Sequence, residues 1–241
     1  MAEWFEHWFD EDYALLYAHR DEAEARRAVA TALREAPELG RGPVLDLACG
    51  TGRHLAVLRE TNPEACGLDL SEALLGQAPG SLAGHLVRAD MRALPFRPGH
   101  LAGICMWFTP FGYFDDAQNH ALLAGLREVL RPGGVLLLDY LNADHLRATL
   151  VPEDGEERAG IRIRNRRRIT GDRVEKEMTL TRLATGEVRT ALESVRIYEP
   201  GALTDLAASE GLRLRKAYGT YGGDPFGPTS PRWIALFERP H

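Results

Sequence analysis

The stretch "VLDLACGTGRHL", Val44 to Leu55, decides the fold. A short apolar run, Val44–Leu47, gives way to small residues, with Asp46 just before them, and a helical pattern resumes at Arg53. A buried strand, a glycine turn and a helix follow from that order. Downstream, "ACGLDL", "HLVRAD", "LAGICMWF" and "VLLLDY" are predicted strands. "SEALLGQA", with Ser71 as N-cap, and "DDAQNHALLAGLREVL", stopped by "RPGG", are predicted helices. Upstream, "DEAEARRAVATALREA" is a helix opened by acidic residues and closed at Pro37. Strands alternating with helices from Val44 to Tyr140 imply right-handed crossovers and a parallel sheet.

The pattern changes near Val151. "IRIRNRRRI" and "RVEKEMTL" alternate with period two around "TGD", a hairpin signal, and "EVRTALESVRIYE" adds a third strand. With Gly171-Asp172 at the turn, Arg168 faces Glu175 and Arg166 faces Glu177, while Ile169 faces Val174 and Ile163 faces Leu180. Such pairing is ordinary sheet stabilisation. Arg162, Arg164 and Arg167 are left unpaired and available to an anionic substrate. A helix from about Ala202 to Glu210 and two strands, "LRLRKAYGTY" and "RWIALFE", complete the chain.

The chain has 241 residues, 44% hydrophobic and 27% charged, with a formal net charge of -6. That balance is ordinary for a globular protein and argues against a phosphate-neutralising nucleic-acid binder. Cys49, Cys66 and Cys105 are odd in number and lack zinc-ligand spacing, so free thiols in a reducing compartment are expected. No metal is expected: the eight histidines form no ligand cluster. His54 is expected to pack between loop and helix, and His120 to lie on a helix surface. The start, "MAEWFEHWFDEDY", has no basic n-region and apolar h-region, and no run reaches membrane-span length, so the expected location is cytoplasmic.

Ligands of open parallel sheets bind at the carboxyl ends of the strands. A dinucleotide site prefers three glycines, and here Leu55 stands at the third position. Asp46 would repel a phosphate and suits a positive group, while the glycines permit close backbone approach. Asp69, ending the second strand, can accept from a ribose diol, and Asp90, after the third, from an adenine amine. An amino group, a ribose and an adenine without a pyrophosphate describe S-adenosylmethionine.

In order and spacing, "VLDLACGTGRHL", "GLDLS", "RADMRALPF" and "LREVLRPGGVLLLDY" resemble the class I S-adenosylmethionine-dependent methyltransferases. The resemblance covers Val44 to Tyr140. It implies a Rossmann-like α/β fold: a seven-stranded, mostly parallel sheet with helices on both faces and the last strand antiparallel, here with a small antiparallel β insertion. It also implies S-adenosylmethionine as cofactor and S-adenosylhomocysteine as product. Asp46, Ala48, Gly50 and Gly52 are implied for the methionine moiety, Asp69 and Leu70 for the ribose, and Asp90 and Met91 for the adenine. "WFDEDYALLYAHR" and "YGGDPFGPTSPRW" resemble a subgroup acting on small molecules.

The expected organisation is a helical lid over residues 1–40, the cofactor-binding core over 41–150, the β insertion over 151–199 and a C-terminal completion of the sheet over 200–241. "TPFGYF", after the fourth strand, lies where a methyl acceptor should sit; Thr109-Pro110-Phe111 departs from the Asp/Asn-Pro-Pro-aromatic pattern of enzymes acting on nucleic-acid amines. Trp107, Phe108, Phe111 and Tyr113 either line a pocket there or pack, and Trp107 is counted as a cofactor contact. Tyr13, Tyr17 and Arg20 share one helical face, which brings Tyr17 and Arg20 to the cofactor carboxylate. Tyr17, Tyr113, Tyr140 and His19 are the candidate bases. The expected reaction is methyl transfer to an O or N atom of a small molecule, with no membrane partner expected and nucleic acid disfavoured. The alternatives are an aminopropyltransferase-like enzyme and a non-catalytic regulatory protein that binds the same cofactor.

Overall fold

A computed structural model describes residues 3–17 and 22–241. In chain order the elements are α1 (Trp4–Trp8), α2 (Glu11–Leu16), α3 (Glu22–Glu35), β1 (Val44–Leu47), α4 (Arg53–Thr61), β2 (Cys66–Asp69), α5 (Glu72–Leu75) and β3 (Leu86–Arg88). There follow β4 (Leu101–Met106), α6 (Asp116–Val129), β5 (Leu130–Leu141), α7 (Ala143–Thr149), β6 (Glu153–Arg158), β7 (Ile161–Thr170), β8 (Arg173–Arg182) and β9 (Val188–Arg196). The chain closes with α8 (Pro200–Ser209), β10 (Arg213–Tyr218) and β11 (Arg232–Glu238).

Seven strands form one sheet in the order β10-β11-β5-β4-β1-β2-β3, and four form a second in the order β6-β7-β8-β9. In the large sheet β11 runs antiparallel to both its neighbours, β10 and β5, while the pairs among β1 to β5 are parallel. The strands carry apolar residues on both faces, as a sheet covered on both sides requires. Leu45, Ile104, Met106, Leu136 and Leu138 face α6 and α8. Val44, Cys105, Val135 and Leu137 face α3 and α4. α3, assigned above to the N-terminal lid, thus packs on the flank of the sheet, while residues 3–17 line the cavity at the strand ends. Trp8 and Leu16 from that segment bury against Ile161, Ile163, Met178 and Leu180 of the second sheet.

The hairpin has the expected register, with Arg168 opposite Glu175, Arg166 opposite Glu177 and Ile163 opposite Leu180. The ion pairs differ. Arg168 reaches both Glu175 and Glu177, at 2.8 and 2.9 Å, and Arg166 turns to Glu153. Arg162 pairs with Glu157 and Arg167 with Asp154, so neither is the unpaired cation expected. The reason is β6, an edge strand of sequence "EDGEER" whose acids lie beside these arginines. It is almost wholly exposed and has no apolar alternation to betray it. β5 also begins earlier than expected, since Leu130 pairs with Leu101 before the register shifts past the glycines.

The N-terminal segment departs from one continuous helical face. α2 stops at Leu16 and Tyr17 is its C-cap, so Tyr13 and Tyr17 do not continue into a third helical position. Arg20 and His19 lie outside the described residues. Among the described residues no helix is long and apolar enough to cross a membrane.

Candidate active site

The carboxyl ends of β1, β2 and β4 open into a cavity of about 640 Å³, roofed by α1, α2 and Tyr17. β1 delivers Asp46, which is 1% exposed, and neither of its carboxylate oxygens has a hydrogen-bond partner among the described residues. A buried carboxylate without partners is costly. Burial foremost, and then the charge of Asp69, raise its pKa to about 8. The chain turns sharply after it: Ala48 and Gly50 take positive φ of 59° and 56°. Both line the cavity. Gly52 does not. Its φ is 78°, a Cβ there would stand 2.3 Å from Leu82 Cδ1, and it is the N-cap residue of α4.

Asp69 closes the turn from β2. Its Oδ2 accepts from the Gly50 amide at 2.7 Å and its Oδ1 from the Ser71 amide at 2.8 Å. Burial pushes its pKa up while these amides pull it down. Leu70, Asp90 and Met91 also line the cavity. Asp90 accepts from the backbone and side chain of Arg92; desolvation opposes ionisation, but these bonds prevail and hold its pKa low.

Trp107, Phe108, Pro110 and Tyr113, which follow β4, also line the cavity. Trp107 stacks on His54 at 4.8 Å, and its buried Nε1 has no partner among the described residues. Phe9 and Tyr13 extend this wall, their rings 4.8 Å apart, with Tyr113 stacked on Phe9 at 5.9 Å. Phe111, by contrast, is fully buried in the core and packs. Tyr17 lines the cavity; its hydroxyl accepts from Lys176 Nζ at 2.7 Å and donates to Glu193 Oε1 at 3.3 Å. Tyr140 is not in the cavity. It is fully buried, its hydroxyl donates to the Arg196 carbonyl, and burial pushes its pKa up, so it cannot serve as a base.

Several lining residues went unread in the sequence. Ser71, read only as an N-cap, does accept from the Leu74 amide, and its hydroxyl also donates to the Phe9 carbonyl, tying the roof to α5. Thr51 lines the cavity from the turn and Arg53 from the start of α4, as does His54, which was expected only to pack. Behind Phe108 lies a buried ion pair, Asp139 Oδ1 with Arg232 Nε at 2.7 Å. A charged residue inside the apolar run "VLLLDYL" was its signal. Phe108 and Thr109 both have positive φ, 61° and 63°. Two successive side-chain-bearing residues in this conformation cost about 1–2 kcal/mol each.

An open sheet with one antiparallel strand beside its edge, and acids at the ends of its first two strands around a glycine turn, is the architecture of the class I S-adenosylmethionine-dependent methyltransferases. Residues 44–134 of the chain match the family model described as methyltransferase domain. An N,N-dimethyltransferase of Streptomyces venezuelae, acting on dTDP-3-amino-3,4,6-trideoxy-alpha-D-glucopyranose, is 35% identical over 99 residues, covering 40% of this chain and 41% of that one. A malonyl-[acyl-carrier protein] O-methyltransferase of Enterobacter lignolyticus is 33% identical over 131 residues, covering 54% and 51%. The chain thus spans about half the length of the curated relatives it matches. A S-adenosylmethionine-dependent methyltransferase from Clostridium acetobutylicum shares the fold with a TM-score of 0.79 at 17% identity, over 95% of this chain and 96% of that one. The cofactor of this class is S-adenosylmethionine.

Proposed function

We propose that the chain transfers a methyl group from S-adenosylmethionine to a nitrogen or oxygen of a small molecule, and that an amine is the preferred acceptor. The observation that carries the reading is Asp46, a buried carboxylate with no partner among the described residues, in a cavity that the aromatic residues following the neighbouring strand β4 also line. The donor set fits the cofactor. Asp46 suits its ammonium group, Asp69 and Leu70 its ribose, Asp90 and Met91 its adenine, with Ala48 and Gly50 allowing close backbone approach. When bound, the cofactor supplies a methyl group on a sulfonium that is already a good leaving group.

The protein's own contribution is orientation and exclusion of water, which supply much of the rate in such a transfer. Trp107, Phe108, Tyr113 and the roof residues Phe9 and Tyr13 form the dry wall for the acceptor. The preference for an amine rests on charge. Among the described lining residues Glu6, Asp10, Asp46, Asp69, Glu72 and Asp90 face only two arginines. Arg53 is paired with Glu24 and Arg88 with Glu72. A carboxylate acceptor would find no uncommitted arginine there, whereas an ammonium is attracted. An amine arriving protonated must lose a proton before transfer. Tyr17 is the lining group with a route for it, passing its own hydroxyl proton to Glu193 as it takes the acceptor's. One curated relative is an N,N-dimethyltransferase and another an O-methyltransferase, so both atoms have precedent. A cytoplasmic setting belongs to the same reading, with Cys49, Cys66 and Cys105 all free thiols.

Incubation with S-adenosylmethionine and panels of amino sugars, other amines, alcohols and carboxylic acids tests this, with S-adenosylhomocysteine measured by mass spectrometry. Product is expected with amines. Product with carboxylic acids alone would overturn the amine preference. Tight cofactor binding with no turnover on any panel would favour a regulatory binder, and an aminopropylated product in a parallel incubation with decarboxylated S-adenosylmethionine an aminopropyltransferase.

A further inference from the structure

We infer that Asp139 and Arg232 are positioning residues which hold the loop after β4 in its left-handed backbone and thereby set the acceptor wall. The inference rests on the reading of Trp107 to Phe114 as that wall. Asp139 is 0% exposed and sits at the carboxyl end of β5. Its Oδ2 accepts from the Phe108 amide at 2.7 Å, and its backbone carbonyl from the Thr109 amide at 2.9 Å. Arg232 completes the hold. Its Nε donates to Asp139 Oδ1 at 2.7 Å, its Nη2 to Thr109 Oγ1 at 2.6 Å, and its guanidinium lies 5.6 Å from the centre of the Phe108 ring.

Tyr221 adds a third element. Its hydroxyl donates to Asp139 Oδ2, and its ring lies 5.8 Å from that of Phe108. The two residues with unfavourable φ, Phe108 and Thr109, are the two whose amides Asp139 captures. Strained backbone persists only where its surroundings over-determine it. Here they do: Asp139 and Arg232 together hold two amides, two hydroxyls and one ring. Antiparallel β11 makes this possible. Because it runs against β5, its first residue, Arg232, stands at the cavity end of the sheet beside Leu141. A parallel strand would have placed its last residue there instead.

The guanidinium fork matters as well as its charge, since it serves Asp139 and Thr109 at once. Lysine offers charge without the fork. Arg232→Met therefore releases the loop and Arg232→Lys restores part of the hold, while Tyr221→Phe, which removes one hydroxyl, is a milder variant that keeps the ion pair. Neither Asp46 nor Asp69 touches this cluster, so the cofactor end is left intact.

The test measures hydrogen exchange of the Phe108 amide by mass spectrometry or NMR, with S-adenosylhomocysteine affinity by calorimetry alongside. In Arg232→Met the Phe108 amide should exchange at least about tenfold faster, Arg232→Lys should recover part of that, and Tyr221→Phe should fall between wild type and Arg232→Met. The Gly50 amide should keep its protection, and affinity for S-adenosylhomocysteine should stay within about threefold. With an acceptor from the amine screen, kcat should drop at least about tenfold while KM for S-adenosylmethionine holds. Unchanged Phe108 exchange in Arg232→Met and Tyr221→Phe would overturn the inference, as would equal loss of Gly50 protection, which marks general unfolding. So would released exchange with kcat unaltered. If no acceptor is found, the functional reading fails while the exchange arm still decides whether the pair holds the loop.

Discussion

Replacement of Asp46 by asparagine should make the empty protein more stable and its ligand binding worse. In the native protein the pKa of Asp46 rises from 3.8 to about 8 because burial, and secondarily the charge of Asp69, disfavour the ionised form. Each tenfold change in proton affinity is about 1.4 kcal/mol, so ionising Asp46 in the empty site costs on the order of 5 kcal/mol relative to water. The folded pKa lies above the unfolded one. Between about pH 4 and pH 8 the native state therefore holds a proton that the unfolded chain has released, and the contribution of Asp46 makes stability fall as pH rises across that window. Above it the penalty is constant. An asparagine side chain cannot ionise, so Asp46→Asn should be more stable than wild type by on the order of 3–5 kcal/mol at pH 8.5, with the difference shrinking towards pH 5. Binding should move the other way. A hydrogen bond to a charged group is worth about 1.5–3 kcal/mol, so affinity for S-adenosylhomocysteine should fall roughly 10- to 150-fold. Below pH 8 the wild-type protein should release a proton when its carboxylate meets the ligand's ammonium, and Asp46→Asn should not. Urea unfolding at pH 5, 7 and 8.5 reads the first effect; calorimetry in buffers of different ionisation enthalpy reads the second. A destabilised Asp46→Asn at pH 8.5, or one that binds S-adenosylhomocysteine like wild type, would refute the assignment of this carboxylate to a cationic ligand group.

Asp69→Ala removes the acceptor of the Gly50 and Ser71 amides as well as the proposed ribose contact. Affinity for S-adenosylhomocysteine should drop about tenfold or more by calorimetry. Unchanged affinity would remove Asp69 from the ribose site. Residues 3–17 roof the cavity and are tied to the second sheet through Asp12, which pairs with Arg182 at 2.7 Å and Arg189 at 3.0 Å. If they act as a lid, saturating S-adenosylhomocysteine should slow proteolytic cleavage within them, and Asp12→Ala should speed it. Equal cleavage rates with and without ligand would leave these helices a packing role alone.

The motif-bearing half of the chain was legible because its physics is local. Val44–Leu47 is a strand over the residues expected, since a short, mostly apolar run ended by a glycine turn has few other uses. Ser71 caps its helix as read, and β11 spans the "RWIALFE" that marked it. Asp46, Asp69 and Asp90 were legible as a set because each closes a predicted strand, and in a parallel sheet all such ends share one edge. The hairpin register followed from its turn, since one residue of slip would have put every arginine on the other face.

What depended on partners distant in sequence was not legible. The exposed acids of β6 become a strand only when Arg162 and Arg166 stand beside them. Tyr140 and Tyr17 look alike as candidate bases, yet the first is sealed under the Arg196 carbonyl and the second reaches the cavity. Gly52 and Gly50 share a motif, but the turn aims one at Leu82 and the other at the ligand side. Asp139 announced itself as a charge in an apolar run, while its partner Arg232 lay 93 positions away. Local sequence sets backbone preference and burial pattern. Which buried charge is answered, and by what, is settled only when strands from opposite ends of the chain are laid side by side.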